Sequence, residues 1–229
     1  MSYVPLTGQH LVITGGAGAL GRALAATACA QGARVTVLDR IEAEAAAGMA
    51  SVVVDLADAE AVRAAWPALG RVDALCALAG GFAMGDSSFA DDDEQWEAMM
   101  QANVTSLRNV LKAAVPGMLA RDSGRIISVG ALSALQGKAA MSAYTASKAV
   151  VMNLTESLAA ELAETGVRVN AVLPSIIDTP ANRAAMPDAS VGQWVSPADM
   201  AQVICFLASA QSNALHGALM PLRGFQRGV

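Results

Sequence analysis

Tyr144 and Lys148 stand four residues apart in the run Tyr144-Thr145-Ala146-Ser147-Lys148. On a helix, positions i and i+4 share a face, so this spacing sets a phenol beside an ammonium. A neighbouring cation favours the phenolate and is expected to draw the tyrosine pKa down from its ordinary value of about 10. Such a phenol is an acid/base for a hydroxyl or carbonyl oxygen, and the lysine can also hold sugar hydroxyls. The bare spacing also recurs at solvated helix starts. It gains weight only from a second motif near the N-terminus.

There, Leu11-Val12-Ile13-Thr14 runs directly into Gly15-Gly16-Ala17-Gly18-Ala19-Leu20-Gly21. Glycines permit a tight turn and close backbone approach. A helix that follows points its unpaired N–H groups and positive dipole end at a pyrophosphate. Gly16-x-Gly18-x-x-Gly21, after a strand and before a helix, therefore reads as a dinucleotide loop, with Gly15, Ala19 and Leu20 as further contacts. Asp39 follows Gly21 by eighteen residues, at the end of the next apolar run. A carboxylate there accepts hydrogen bonds from adenosine ribose hydroxyls and repels a 2′-phosphate, which favours NAD over NADP. Arg40 argues the other way, since an arginine can hold that phosphate. The plain alternative for Asp39 is a strand-end cap. Asp55, with Leu56, ends a third run, where a carboxylate reaches an adenine amino group. Ala79-Gly80-Gly81 ends a fourth, where absent side chains admit a ribose. Four consecutive run ends carrying glycine or an acid match the edge at which open α/β sheets bind ligands.

Those motifs need a sheet to position them. Short, nearly continuous apolar runs at His10–Thr14, Arg34–Leu38, Ser51–Asp55, Ala74–Ala79, Arg125–Val129, Arg168–Leu173 and Ala218–Leu222 read as strands covered on both faces. Between them lie helical segments: Leu20–Gln31, Asp93–Ala120 with turns on both sides of Asn103, Thr145–Glu164, and Pro197–Ala208 with Ser196 as N-cap. Strand–helix alternation implies α/β architecture, a Rossmann-type doubly wound parallel sheet of about seven strands. With no repeat or linker, residues 1–229 read as one dinucleotide-binding domain.

The composition narrows the function. Of 229 residues 54% are apolar, only 15% are charged and 4% aromatic, and the net charge is −5. A chain this apolar is not disordered, and no run reaches the roughly 18 apolar residues of a membrane span. The first residues lack the pattern of a secretion signal. Without a basic block, neither nucleic acid nor a membrane surface is an expected partner. Cys29, Cys76 and Cys205 lie far apart outside any metal-ligand spacing, so no metal site is expected, and reduced thiols point to a cytoplasmic protein. The low charge suggests surface covered by another subunit.

Taken together, these motifs resemble the short-chain dehydrogenase/reductase family over nearly the whole chain. Thr14–Gly21 is similar to its cofactor loop, Ala79-Gly80 to the end of its Asn-Asn-Ala-Gly motif, and Tyr144/Lys148 to its catalytic pair. Asn103 matches the asparagine that the family uses to hold a proton-relay water. Pro174-Ser-Ile-Ile-Asp-Thr179 resembles the segment that meets the nicotinamide, which implies contacts from Pro174, Ile177 and Thr179. The resemblance implies an NAD(H)-dependent oxidoreductase acting on a small carbonyl/alcohol substrate. It also implies a homodimer or homotetramer through the helix carrying Tyr144, with Val150, Val151, Leu154, Leu158 and Ala159 as candidate surface. Residues 179–196 are expected to form a substrate flap containing Met186, Pro187 and Trp194, with Asn182 and Arg183 as its polar groups. Phe82, Met84 and Phe89 are placed on the opposite wall.

Three departures stand out: Ala19 for a loop glycine, Ala77-Leu78 for two asparagines, and Ala131 for the catalytic serine that the family carries thirteen residues before its tyrosine. Ser133 and Ser128 are the nearest hydroxyls. Dihydropteridine reductases within the family also lack that serine, and Gly130–Gly137 and Met186-Pro187 resemble theirs. Losing one transition-state donor typically costs about 2.7–4 kcal/mol, so an activated, quinonoid acceptor is the alternative substrate class. A nucleotide-sensing protein without turnover is the other alternative, and retained Tyr144, Lys148 and Asn103 weigh against it.

Overall fold

The computed structural model describes residues 6–44, 48–85, 88–89 and 93–225. Seven strands form one parallel sheet: β1 (His10–Thr14), β2 (Arg34–Asp39), β3 (Met49–Val53), β4 (Ala74–Ala77), β5 (Gly124–Val129), β6 (Val167–Pro174) and β7 (Leu219–Leu222). Their spatial order is β3-β2-β1-β4-β5-β6-β7. The chain moves outward one way from β1 and returns to start again at β4. The switch point between β1 and β4 is where such sheets bind ligands.

Helices cover both faces, α1 (Ala19–Ala30), α2 (Ala59–Ala65), α3 (Asp93–Met100), α4 (Ser106–Ala120), α5 (Ser142–Glu161), α6 (Pro180–Ala185) and α7 (Pro197–Ala208). Alternate residues of a strand face opposite sides, and β1 shows it plainly. Leu11 and Ile13 pack with Leu24 of α1 and Met200 and Ile204 of α7. Val12, between them, packs in the other layer with Val110 and Met118 of α4 and Val151 of α5. All three β1 side chains are fully buried, each stabilising the fold by about 1.5–3 kcal/mol.

Several boundaries differ from the sequence expectation. The third strand is Met49–Val53, two residues earlier than expected, set by its pairing of Met49 with Val35. Asp55 consequently lies in a turn, where its carboxylate accepts the Ala57 N–H at 2.9 Å. The fourth strand stops at Ala77 because the chain turns sharply, Leu78 N–H donating to the Cys76 carbonyl. Helix α2 was not among the expected elements; Asp58 caps it by accepting the N–H groups of Glu60 and Ala61. The single segment expected over 93–120 is instead α3 and α4 joined by a π-helical turn, Gln101–Thr105, that contains Asn103. Helix α5 starts at Ser142, so Tyr144 lies within it rather than before it. Ser196 caps α7 as expected, accepting the Asp199 N–H at 3.0 Å.

Candidate active site

The glycine loop closes the C-terminal end of β1. Gly15 sits at φ +71°, and a Cβ there would stand 2.8 Å from the Ala79 Cα, so only glycine lets the loop pass the end of β4. The Thr14 hydroxyl accepts the Ala79 N–H at 3.1 Å and ties the two strand ends together. Helix α1 starts immediately after Gly18, with no side-chain cap and no acidic residue in its first turn. Ala19, Leu20 and Gly21 thus present backbone N–H groups that no capping side chain has claimed, as an anion-binding helix start requires. Ala19 is the first residue of this helix, a position where a methyl group is tolerated. Asp39, at the end of β2, leans over the loop. One carboxylate oxygen accepts the Ala17 N–H at 3.0 Å and the other the Arg40 N–H at 2.7 Å. These residues fit a dinucleotide: an uncapped helix start for its phosphates, with an acid at the mouth.

At the end of β4, Gly80 and Gly81 face the π-helical turn. Asn103 grips Gly81 twice, its Oδ1 accepting the Gly81 N–H at 2.9 Å and its Nδ2 donating to the Gly81 carbonyl at 3.1 Å. The same Nδ2 reaches the Ser147 Oγ at 2.9 Å, and that hydroxyl donates to the Tyr144 carbonyl at 2.8 Å. Lys148 is buried and donates to the Val129 carbonyl at 2.9 Å. A Cβ on Gly80 would overlap Asn103 Oδ1 and stand 3.2 Å from Lys148 Nζ. Asn103, Gly80 and Lys148 therefore meet just past the end of β4, and Ser147 links this cluster to the Tyr144 carbonyl.

The electrostatics depart from the sequence expectation. The Tyr144 hydroxyl is not drawn down by Lys148; burial pushes its pKa up to about 12. Burial also lowers Lys148, to about 8. The ring of Phe82 packs edge-on against Tyr144, with ring centroids 4.9 Å apart and planes at 75°. At neutral pH Tyr144 therefore holds its proton.

Ala131, at the position expected for serine, is buried in extended backbone ahead of a short 3₁₀ turn, Leu132–Leu135. Ser128 is no replacement: it is buried in β5 with its hydroxyl 2.6 Å from that of Thr155. Ser133 lies half-buried in the 3₁₀ turn.

Pro174, the last residue of β6, is buried, and beyond it Ile177 bridges to Val195. The Thr179 hydroxyl caps α6 by accepting the Asn182 N–H at 3.1 Å. The polar groups expected to reach a substrate serve this segment instead. Asn182 Nδ2 donates to the Ile177 carbonyl at 2.8 Å, and Arg183 makes a two-pronged ion pair with Asp178 at 2.5 and 2.8 Å. Trp194 is buried and so forms no open wall. Phe89 is almost wholly exposed. Two residues outside the expected set of site residues prove structural to the site. Thr14, at the strand–loop junction, carried a readable signal; Ser147, inside the Tyr–Lys spacing, drew notice only as a spacer.

The short chain dehydrogenase family model matches residues 9–190. The 2-(S)-hydroxypropyl-CoM dehydrogenase 3 of Xanthobacter autotrophicus is 32% identical, covering 96% of each chain. A solved oxidoreductase of the short chain dehydrogenase/reductase family from Burkholderia thailandensis is 34% identical with a TM-score of 0.85, covering 94% of this chain and 91% of that one. A structure described as a putative NAD(P) dependent gluconate 5-dehydrogenase from Beutenbergia cavernae, with bound NADP at low occupancy, is 29% identical with a TM-score of 0.85, covering 95% and 96%. The chain belongs to the short-chain dehydrogenase/reductase family. It is an NAD(P)-dependent oxidoreductase by class. Among the described residues no helix is long and apolar enough to cross a membrane.

Proposed function

We propose that this chain is an NAD(H)-dependent oxidoreductase that moves hydride between a nicotinamide and a carbonyl/alcohol substrate, with Tyr144 as its acid/base. The observation that carries this reading is the meeting of Lys148 and Asn103 at Gly80 and Gly81, with Tyr144 joined to them through Ser147 and its ring against Phe82. When bound, the nicotinamide supplies or accepts the hydride. Gly15, Gly16, Gly18, Ala19, Leu20 and Gly21 would hold the dinucleotide's phosphates, and Asp39 with Arg40 would meet the adenosine ribose. Asp55 and Leu56 meet the adenine, and Ala79, Gly80, Gly81, Lys148, Pro174, Ile177 and Thr179 border the nicotinamide half. Residues 179–196 form the flap.

Tyr144, protonated at neutral pH, donates its hydroxyl proton to a carbonyl oxygen and recovers it from an alcohol in the reverse direction. Lys148, buried beside Gly80 and positively charged below about pH 8, would hold hydroxyls of the cofactor's ribose. Asn103 acts as a positioning residue through Gly81 and Ser147. Ala131 supplies no second donor, and Ser128 is held by Thr155. This favours substrates that spread developing charge themselves, the quinonoid type included, over simple ketones. On α5, Val151 and Ala159 are buried against the sheet while Val150, Leu154 and Leu158 are only half-buried. The latter three form the surface through which a homodimer or homotetramer assembles. Unpaired cysteines fit a reducing, cytoplasmic setting.

Calorimetric titration with NADH and NADPH tests the cofactor assignment. NADH is expected to bind at least about tenfold more tightly, or ~1.4 kcal/mol. An equal preference for NADPH overturns the role given to Asp39.

A further inference from the structure

The segment after β4 is held in an unusual way. Asn103 fixes Gly81 through two hydrogen bonds. Four residues on, the Gly85 N–H donates to the Ala140 carbonyl at 3.0 Å. Ala140 itself sits at φ +59°, a left-handed conformation that costs a residue bearing a Cβ about 1–2 kcal/mol. It lies two residues before α5, the helix that carries Tyr144. Residues 81 to 85 are thus pinned at one end to the π-helical turn and at the other to the lead-in of α5. Phe82 lies between the pins, its ring edge-on to Tyr144.

That ring is 57% exposed, and Met84 beside it is 62% exposed. Leu135, in the turn after Ala131, is also exposed. An aromatic side chain held this firmly and still largely open has a preorganised apolar surface next to the phenol that delivers the proton. Aromatic pairs in edge-on or offset contact gain about 0.5–1.5 kcal/mol beyond area burial. The methyl of Ala131 and the ion pairing of Arg183 with Asp178 remove two groups that would otherwise recognise a polar or anionic substrate.

We propose that Phe82 is a specificity-determining residue that selects a carbonyl compound bearing an uncharged aryl group on its carbonyl carbon, the aryl ring lying against the open part of Phe82 while the oxygen meets Tyr144. The inference rests on the acid/base reading of Tyr144 and adds the substrate class.

The test compares acetophenone with cyclohexyl methyl ketone, which match in carbon count and differ in the flat ring, using the NADH-loaded enzyme. Two quantities are measured: kcat/KM for each, and Kd for each by calorimetry on the enzyme loaded with NAD. Native protein is expected to favour acetophenone about three- to tenfold in both, the range an aromatic contact supplies. Phe82→Leu, apolar and similar in size, is expected to bring that ratio to about one, chiefly through KM, and Phe82→Trp to keep it. A Phe82→Leu variant that lowers both ketones by the same factor, or a native enzyme with no preference in Kd, overturns the proposal. Preference in Kd with a turnover that survives Tyr144→Phe keeps Phe82 as the aryl-selecting wall and overturns the acid/base reading. Turnover of both without preference does the reverse.

Discussion

At the C-terminal edge of the sheet, Lys148 is buried with one hydrogen bond, to the Val129 carbonyl. At the N-terminal edge, His10 is buried with partners at both ring nitrogens. Its Nε2 lies 2.8 Å from the Thr36 hydroxyl, and its Nδ1 lies 2.7 Å from both the Arg71 carbonyl and Arg34 Nη2. Asp73 accepts the His10 backbone N–H at 2.9 Å and pairs with Arg71 at 2.7 Å. Both side chains are held toward their neutral forms, chiefly by burial. An ammonium has three donors, and among the described residues Lys148 spends one; His10 spends everything it has. The same physics, burial of a base, builds a closed joint at one edge and at the other a cluster with hydrogen-bonding capacity in reserve. A buried polar group with hydrogen-bonding capacity left over is available to a ligand, whereas one whose capacity is spent belongs to the scaffold.

The comparison predicts that substitutions at the C-terminal edge change chemistry before stability, and the largest such effect is expected from Tyr144→Phe. Removing one hydroxyl that has no hydrogen-bonding partner among the described residues leaves the edge-on packing with Phe82 intact. Proton transfer by a positioned side chain contributes about 10²- to 10⁴-fold, and kcat for an identified carbonyl substrate should fall by that factor. The NADH Kd and the melting temperature should stay near native values. Steady-state kinetics beside calorimetry checks this, and retained turnover overturns the acid/base assignment.

A smaller and mixed effect is expected where the cluster is tightest. Gly80→Ala drives a methyl group into Asn103 Oδ1 and toward Lys148 Nζ. Overpacking of this kind typically costs about 1–3 kcal/mol, and each kcal/mol lowers the melting temperature of a chain this long by about 2–4 °C. Because Asn103 reaches the Tyr144 carbonyl through Ser147, activity should fall with stability. A scanning calorimetry trace and a kcat measured on the same preparation decide it. A variant that melts early but turns over normally would show that the Asn103–Gly81 contact is scaffold alone.

Much of this edge was legible beforehand because its requirements are local. Gly15 at φ +71° and the four-residue spacing of Tyr144 and Lys148 follow from backbone and helix geometry, which sequence expresses directly. The edge strand was misplaced because β3 is only half-buried. An outer strand lacks the apolar run that marks a central one, so the register with β2 decides its ends. The π-helical turn was not legible, since Asn103 interrupts no apolar pattern and its partners, Gly81 and Ser147, are 22 and 44 residues away. The upward shift at Tyr144 was read in the wrong direction for a related reason. Helix spacing brings Lys148 near, but the burial that dominates comes from the chain fold. Arg183 looked available because its partner Asp178 lies across the start of α6. Except for the local Arg183–Asp178 pair, what the sequence conceals is a contact made through tertiary structure.

The smallest expected effect sharpens the other half of the comparison. Burial, the largest cause, lowers the His10 pKa below its ordinary value of about 6.5, and Arg34 lowers it further, while the Arg71 carbonyl and Asp73 oppose the shift. A histidine whose folded pKa is depressed binds fewer protons folded than unfolded. Its stabilising contribution is therefore complete above the unfolded value and is lost as pH falls through about 6.5 toward the folded pKa. Protonation would also set a positive ring against Arg34, so the joint loses the match that closes it. Urea unfolding at a series of pH values between about 7 and 5 should show stability declining in the native protein, with a flatter slope in His10→Asn. NADH affinity at pH 7 should be the same in both, because the joint lies at the opposite edge of the sheet from the glycine loop. Parallel stability curves would mean that the decline arises from carboxylates elsewhere. A changed NADH affinity would mean that the two edges communicate through β1, and the division between closed joint and reserved cluster would then fail as an account of where this chain keeps its chemistry.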